Sequence, residues 1–520
     1  MNLFNKLSLN QKFLFPIILS FFSLLINQHY GYIGILPIDS FLIFNSGYDL
    51  LNGNYPFKDY WTIKEPFIDL LQAIFFKLFG VSWFSYVLHA SIFNSIISLS
   101  TYFILRYFKL SPGFSFLYSF CLACLAYPTA GTPFSDHHTL IFCILSLYIF
   151  FLAIKTDNKF FWFLIPFILG MSFFSKQAPT AYVVLMISFL SLIYFINKRN
   201  FNGLIFSLLG VIIFLTIFII TLFFLNIKFI DFFNQYILFP QSLGASRLDW
   251  VFPLEFKRFV LRFKIHYLSI FFLAYILIRS FINTERKIKI EDVIILLALI
   301  VSCLIFIFHQ LMTINAIFIY CLIPIFIAFS HIYCDKFYNK KYLKTFFISL
   351  LFISSIYYFV TYVHNRTFMD LRSVDLSKAI DAGKINKKLS GVKWITMFYP
   401  DNPDQEVKNI NLAVKIFEND KEKKMLITDY QFISVFLNEY DYAATRFWYE
   451  FHGYPSKENK YFIYWKNFVI DKIKENNIQN IYVLKPLHGE NKPLENIFDN
   501  CYKKEVFSKT FYKMNLIDCF

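Results

Sequence analysis

The sequence predicts a polytopic α-helical membrane protein with about eleven spanning helices and a C-terminal soluble α/β domain. Three observations predict it. The chain is 57% hydrophobic with a mean hydropathy of +0.50, whereas soluble domains average roughly 45–50% apolar residues. Its short polar connections alternate between basic and non-basic. Finally, from Asn365 onward Lys, Asn, Asp and Glu become frequent and no apolar run is long enough to span.

The net charge of +15 would suit a nucleic-acid partner, but most basic residues fall in short clusters between apolar runs. That is the signature of cytoplasmic loops, so no nucleic acid is expected. Six of the eight cysteines, Cys121, Cys124, Cys143, Cys303, Cys321 and Cys334, lie in or beside apolar runs and act as small hydrophobes. Cys121-Leu-Ala-Cys124 has redox or metal spacing, yet it sits inside such a run with no ligand nearby. Cys501 and Cys519 would be able to pair if the C-terminal part lies outside the cytosol.

The first apolar run, about 13–28, follows Lys6 and Lys12 and ends in Asn27-Gln28-His29. With no small-residue cleavage site there, an uncleaved anchor is expected rather than a signal peptide. Further spans are predicted near 83–105, 113–130, 138–154, 160–174, 178–196, 203–226, 266–282, 293–310, 314–332 and 345–363. With the N-terminus inside, the cytoplasmic connections carry Arg106/Lys109, Lys155/Lys159, Lys198/Arg199, Arg279/Arg286/Lys287/Lys289 and Lys336/Lys340/Lys341/Lys344. The opposite connections near 131–137 and 310–313 carry no Lys or Arg, and that near 175–177 only Lys176. This phase puts the 30–82 loop, the loop of about 227–265 and everything after about 364 outside. The division expected is therefore a spanning module, 1–363, and an extracytoplasmic domain, 364–520. In the latter, 424–429 and 480–484 read as short buried strands of parallel character, and 405–418 and 465–476 have helical spacing. No Gly-rich phosphate motif follows either strand, so no nucleotide site is read there.

Pro37–Gly80 is too polar to span and too apolar to be a solvated linker. Asp39 and Ser40 are placed to cap a short helix that Gly53 ends. Pro66 fits the first turn of a second helix and Gly80 its end. That helix spaces Phe67, Leu70, Leu71, Ile74, Phe75 and Leu78 on one face. Two amphipathic helices at a membrane surface are expected. The stretch resembles the first external loop of the GT-C glycosyltransferases that use lipid-phosphate sugars. These are the protein O-mannosyltransferases, the aminoarabinose-to-lipid A transferases and their bacterial RgtA/B/C/D-like relatives. The residues that carry the resemblance are Asp39, Gly53, Lys64-Glu65-Pro66 and Leu78-Phe79-Gly80. The sequence departs from the family where Asp-Glu is Asp39-Ser40 and where Lys-Pro is Lys-Glu-Pro.

A glycosyl transfer needs a carboxylate to orient and deprotonate the acceptor hydroxyl. Asp39 is the candidate base by resemblance; as a residue it equally suits a helix N-cap. Asp136, in Thr132-Pro-Phe-Ser-Asp-His-His138, is the second candidate, with capping of the next helix as its ordinary alternative. If both acids face one cavity, Asp136 would bind the acceptor or tune Asp39. A phosphate leaving group calls for cations, and the external candidates are Lys64, Lys58, Lys176 and Arg247. Lys176 also suits a snorkelling lysine, and Arg247 a solvated loop. His137, His138, His309, Gln310, Asn315 and Tyr320 flank external turns and are candidates for an acceptor or lipid groove. Adjacent histidines diverge on a helix, so His137-His138 is a weak metal signal.

The resemblance implies an inverting membrane glycosyltransferase. Its donor would be a polyprenyl-phosphate-linked sugar and its acceptor a hydroxyl of a cell-envelope glycolipid, glycan or protein, in a bacterial inner (plasma) membrane. No cofactor is required by that chemistry, and a divalent metal at Asp39 and Asp136 stays open. A lipid-linked glycan transporter is the alternative. Transporters place ionisable residues at mid-membrane, whereas these acids cluster in loops at one face.

Overall fold

The structure is a computed structural model and describes residues 9–252, 255–282, 288–338, 340–450, 452–485, 497–498 and 501–517. The expected partner of Cys501, Cys519, lies outside these residues. In chain order the first helices are α1 (Leu9–Gly31), α2 (Leu42–Leu51), α3 (Pro66–Phe79), α4 (Trp83–Tyr107), α5 (Pro112–Leu125) and α6 (Ser135–Thr156). Next come α7 (Lys159–Ser175), α8 (Gln177–Lys198), α9 (Asn202–Phe224), the single turn α10 (Phe229–Phe232), α11 (Phe239–Val251) and α12 (Lys264–Ile282). The apolar part ends with α13 (Ile290–Met312), α14 (Ile323–Phe337) and α15 (Lys341–Tyr358). The polar remainder holds α16 (Pro403–Asn419), α17 (Ile433–Leu437) and α18 (Phe462–Asn476). Its strands are β1 (Ile380–Asp381), β2 (Lys393–Trp394), β3 (Lys424–Thr428), β4 (Asn480–Leu484), β5 (Tyr502–Ser508) and β6 (Phe511–Leu516).

Among the described residues nine helices are long and apolar enough to cross a membrane. The other two predicted spans are also helical but short: α5 has 14 residues and α7 has 17, against the roughly 20 that a bilayer needs. Local chemistry sets their starts. Ser111 accepts from the Phe114 amide ahead of Pro112, and Asn158 accepts from the Phe160 amide at 2.9 Å. α9 leaves Ile212, Ile219 and Phe223 exposed, as a helix facing hydrocarbon must. The chain is an integral membrane protein.

The chain divides into two compact units. The first gathers residues 1–31, 87–219 and 246–368. Its interior is joined by polar side chains on the helices. The Asn94 amide donates to the carbonyls of Ser23 at 2.9 Å and Ala123 at 3.0 Å, and that of Asn27 to Ser91 Oγ at 2.9 Å and Gly131 O at 3.2 Å. Gly131 has φ +79°, and a Cβ there would lie 2.6 Å from Gly31 Cα, so only glycine fits this approach. Buried Arg366 donates to Pro128 O at 2.7 Å and Ala130 O at 3.2 Å. The turn that leads into Asp136 is thus pinned from two sides.

The second unit gathers 32–86, 220–245 and 369–520. Its sheet has the order β3-β4-β6-β5. β3 and β4 are parallel, with Lys424 opposite Asn480, and β6 runs antiparallel to both β4 and β5. The two predicted strands and two predicted helices are β3, β4, α16 and α18. The β5–β6 hairpin went unread because Lys503, Lys504 and Glu505 give β5 no apolar alternation. Trp61, Phe239, Trp465, Ile427 and Val483 share one core, so all three segments bury surface together. Gln235 ties two of them by accepting from Thr62 N at 3.1 Å and donating to Phe57 O at 3.0 Å.

α2 and α3 begin and end near the expected residues. Gly53 and Gly80 have φ of +85° and +81°, and Pro66 opens α3. The spaced apolar face of α3 points outward: Leu70, Ile74 and Leu78 are exposed, while Ile68, Asp69, Gln72 and Phe76 are buried. A helix with acid inside and leucine outside suits an apolar surrounding at a membrane surface.

Orientation is open to a direct check. Reporter fusions after Lys341 and after Asn402 are expected on opposite sides of the membrane, given the alternation of basic connections. Both on one side would overturn the span count between them.

Candidate functional site

Asp39 lies in a turn, residues 37–40, of the second unit and is half-buried. Neighbouring backbone fixes it. Gly34 N donates to Lys393 O and Ile35 N to Ile395 O, both at 3.1 Å, and Ile38 N donates to Asp429 O at 2.8 Å. Ile38 has φ +70°, a conformation that costs a β-branched residue energy and that recurs at functional sites. The helix-cap expectation is corrected here. The N-cap of α2 is Phe41, with no side-chain hydrogen bond to the helix. Ser40 Oγ instead accepts from Leu36 N at 2.9 Å.

Two of the predicted cations are in the same unit. The Lys58 ammonium lies 5.7 Å from the Tyr55 ring centre. That of Lys64 lies 5.2 Å from the Phe447 ring and 3.5 Å from Glu65 Oε1. The departure from Lys-Pro has a structural counterpart: Glu65, inserted between Lys64 and Pro66, is buried against Arg446. The Arg446 guanidinium grips Asp69 with two bonds of 2.7 Å, Glu65 Oε2 at 3.0 Å and Lys64 O at 2.8 Å. Ser46 Oγ donates to Asp69 Oδ1 at 2.7 Å. Burial pulls the Arg446 pKa down, but Asp69 and Glu65 more than offset it and hold it above its ordinary value. Burial pushes Asp69 up to about 7 even against that guanidinium. Asp49 is raised as well, by burial and by the charges of Asp441 and Asp69.

In the first unit, Asp136 and Lys176 form an ion pair at 2.7 Å, both largely withdrawn from solvent. Asp136 sits in the first turn of α6, and Lys176 is the one residue between α7 and α8, with extended backbone. Arg247 on α11 is close enough for the Asp136 charge to raise its pKa, against the larger lowering by burial. The charges of Lys176, Asp136 and Arg247 all reach His309. Around them, buried polar atoms lack a hydrogen-bond partner among the described residues: Thr132 Oγ1, Ser135 Oγ, both ring nitrogens of His137, His309 Nε2 and Gln310 Oε1. Each such group costs about 1–3 kcal/mol when left unmade. These unpaired polar groups concentrate around the Asp136–Lys176 pair.

The structure therefore brings Asp136, Lys176, Arg247, His137, His309 and Gln310 together. The other groove candidates serve elsewhere in this unit. His138 turns into a buried chain in which its Nδ1 meets the Tyr127 hydroxyl and its Nε2 meets His89 Nε2 at 3.0 Å. Asn315 Oδ1 accepts from Ala316 N at 2.9 Å and so shapes its turn. Tyr320 stacks on Tyr358 and Tyr362, with ring centres 4.0 and 4.8 Å away. Among the described residues no group of three or more His, Cys, Asp or Glu is placed to hold a metal ion. Sequence reasoning missed Arg366 and Arg446, each solitary in its stretch. Only their burial tells them from solvated arginines.

No curated protein matches the chain. Residues 64–224 match the family model described as dolichyl-phosphate-mannose-protein mannosyltransferase. The matched segment includes Lys64, Asp136 and Lys176. Over that segment, about a third of its length, the chain is similar to this mannosyltransferase family, and among the described residues nine helices are long and apolar enough to cross a membrane.

Proposed function

We propose that the protein moves a sugar from a polyprenyl-phosphate donor to a hydroxyl of a cell-envelope glycolipid, glycan or protein, with inversion. The observation that carries this reading is the convergence of Lys176 and Arg247 on Asp136 beside unpartnered buried polar groups. Two cations suit a phosphate, and the polar groups suit sugar hydroxyls. In the proposed reaction Asp39 takes the acceptor proton as the acceptor oxygen bonds to the anomeric carbon. The bond from that carbon to the phosphate oxygen breaks, and the phosphate leaves with the electron pair. Negative charge grows on the leaving group, so a nearby cation stabilises the transition state more than the ground state.

The test is transfer by detergent-purified protein from a short-chain polyprenyl-phosphate mannose, with release of the lipid phosphate followed. Turnover without a membrane or gradient supports the enzyme; gradient-dependent movement of intact donor would instead fit the transporter. Lys176→Ala and Arg247→Ala are each expected to lower kcat by about 10²–10³-fold, the usual effect of losing one charge-stabilising donor. Unchanged turnover in both, with a strong loss in Lys64→Ala, would move the phosphate contact to Lys64 and its neighbour Lys58.

A further inference from the structure

A second polar site lies in the first unit, away from Asp136. The final residues of α4, α6 and α14 and the first residues of α13 surround a cavity of about 650 Å³. α6 carries Asp136 in its first turn and Lys155 in its last, which sets the two apart by roughly 28 Å at 1.5 Å per residue. Buried Asp292 is the hub of the cavity. Lys155 Nζ donates to its Oδ1 at 2.7 Å, Lys336 Nζ to its Oδ2 at 2.6 Å, and the Tyr333 hydroxyl to Oδ1 at 3.1 Å. An ammonium has three donors, so each lysine retains capacity for another anion. Exposed Lys109 adds a third cation to the lining. The other acid there, Asp335, is paired with Lys344 at 2.6 Å, from outside the lining. The cavity is cationic on balance.

Lysines at helix C-termini answer the helix dipole, which accounts for the charges but leaves a cavity of this size unexplained. An apolar track adjoins it. Tyr107 forms part of the wall, and Ile96, Phe103 and Tyr107 are all exposed on α4. Their spacings of seven and four residues put them on one stripe of the helix. A cationic cavity that continues into an exposed apolar stripe matches one ligand chemistry, a negatively charged headgroup with an acyl chain. Basic pockets between spanning helices take such headgroups.

We propose that this cavity binds an anionic phospholipid, with its phosphate among Lys109, Lys155 and Lys336 and one acyl chain along Ile96, Phe103 and Tyr107. The test measures lipid retention on the full chain in detergent by native mass spectrometry, with phosphatidylglycerol, phosphatidylcholine and inorganic phosphate as probes. Phosphatidylglycerol is expected to be retained in preference to phosphatidylcholine. Lys109→Ala should weaken it about fivefold and Lys109→Ala with Lys336→Ala about thirtyfold. Lys109 is exposed and outside the Asp292 hub, so the single variant decides the matter if the double one does not fold. Equal retention of the two lipids, or unchanged retention in Lys109→Ala, would overturn the proposal. Displacement of phosphatidylglycerol by equimolar inorganic phosphate would also overturn it, by assigning the cavity to a soluble anion.

Discussion

Asp39→Asn is expected to abolish sugar transfer while leaving the protein folded and able to bind its lipid donor. Removing a general base typically costs about 10²–10⁴-fold in rate. Asn keeps the size of the side chain but cannot take a proton. Loss of a helix cap, the competing role, would instead appear as about 0.5–2 kcal/mol of stability. The structure weakens that competitor, because Phe41 stands at the N-cap and backbone bonds from Gly34, Ile35 and Ile38 to Lys393, Ile395 and Asp429 hold the segment that leads through the 37–40 turn. The variant should therefore melt within a degree or two of the wild type. Single-turnover transfer with a saturating lipid-phosphate sugar separates the outcomes. A folded Asn variant with near wild-type turnover would remove Asp39 from the chemistry.

The spanning part was legible because hydrophobicity and the alternation of basic connections are local signals that a bilayer enforces. The eleven predicted runs each hold a helix, and only α5 and α7 fall short once the 3-10 turn Ile317–Leu322 is counted with α14. In Pro37–Gly80 the helix boundaries were legible for the same reason, since Pro66, Gly53 and Gly80 act on their own backbone. The apolar stripe of α3 and its outward turn agree with the surface helix read from its spacing, but what holds the other face was not legible: Asp69 there is bound by Arg446, which lies far along the chain. Pairings of that kind leave no local trace. Nor does the gathering of Asp136, Lys176, Arg247 and His309, which come from four separate segments. The residues were named from their places in external turns, but their distances follow from helix packing. The Lys-Glu-Pro departure, an irregularity in the sequence, is where Glu65 meets Arg446.

Arg446→Met is expected to be the most destabilising single substitution in the second unit. It leaves Asp69 and Glu65 buried, 0% and 1% exposed, with Lys64, 3.5 Å from Glu65 Oε1, in place of the fork that bound both. Breaking a buried pair from one side typically costs about 3–5 kcal/mol. Arg446→Lys should recover part of this, since an ammonium restores the charge but cannot span both Asp69 oxygens and Glu65 as the guanidinium fork does. The sign of the pH dependence follows from Asp69, which burial holds at about 7 even with Arg446 present. A carboxyl whose folded pKa lies above its unfolded value of about 3.9 holds more protons when folded. Stability from that group is complete below the unfolded pKa and declines as pH rises through the folded one. Removing Arg446 raises the folded pKa further, so the deficit of Arg446→Met should shrink on going from about pH 8 to about pH 5. Thermal melting of the purified variants at those two pH values measures it. Replacing Asp69 with Leu in the same chain should return part of the loss, because the remaining uncompensated charge is then smaller. A deficit that is the same at both pH values, or under about 1 kcal/mol, would mean that Arg446 does not hold the loop carboxylates in their ionised form.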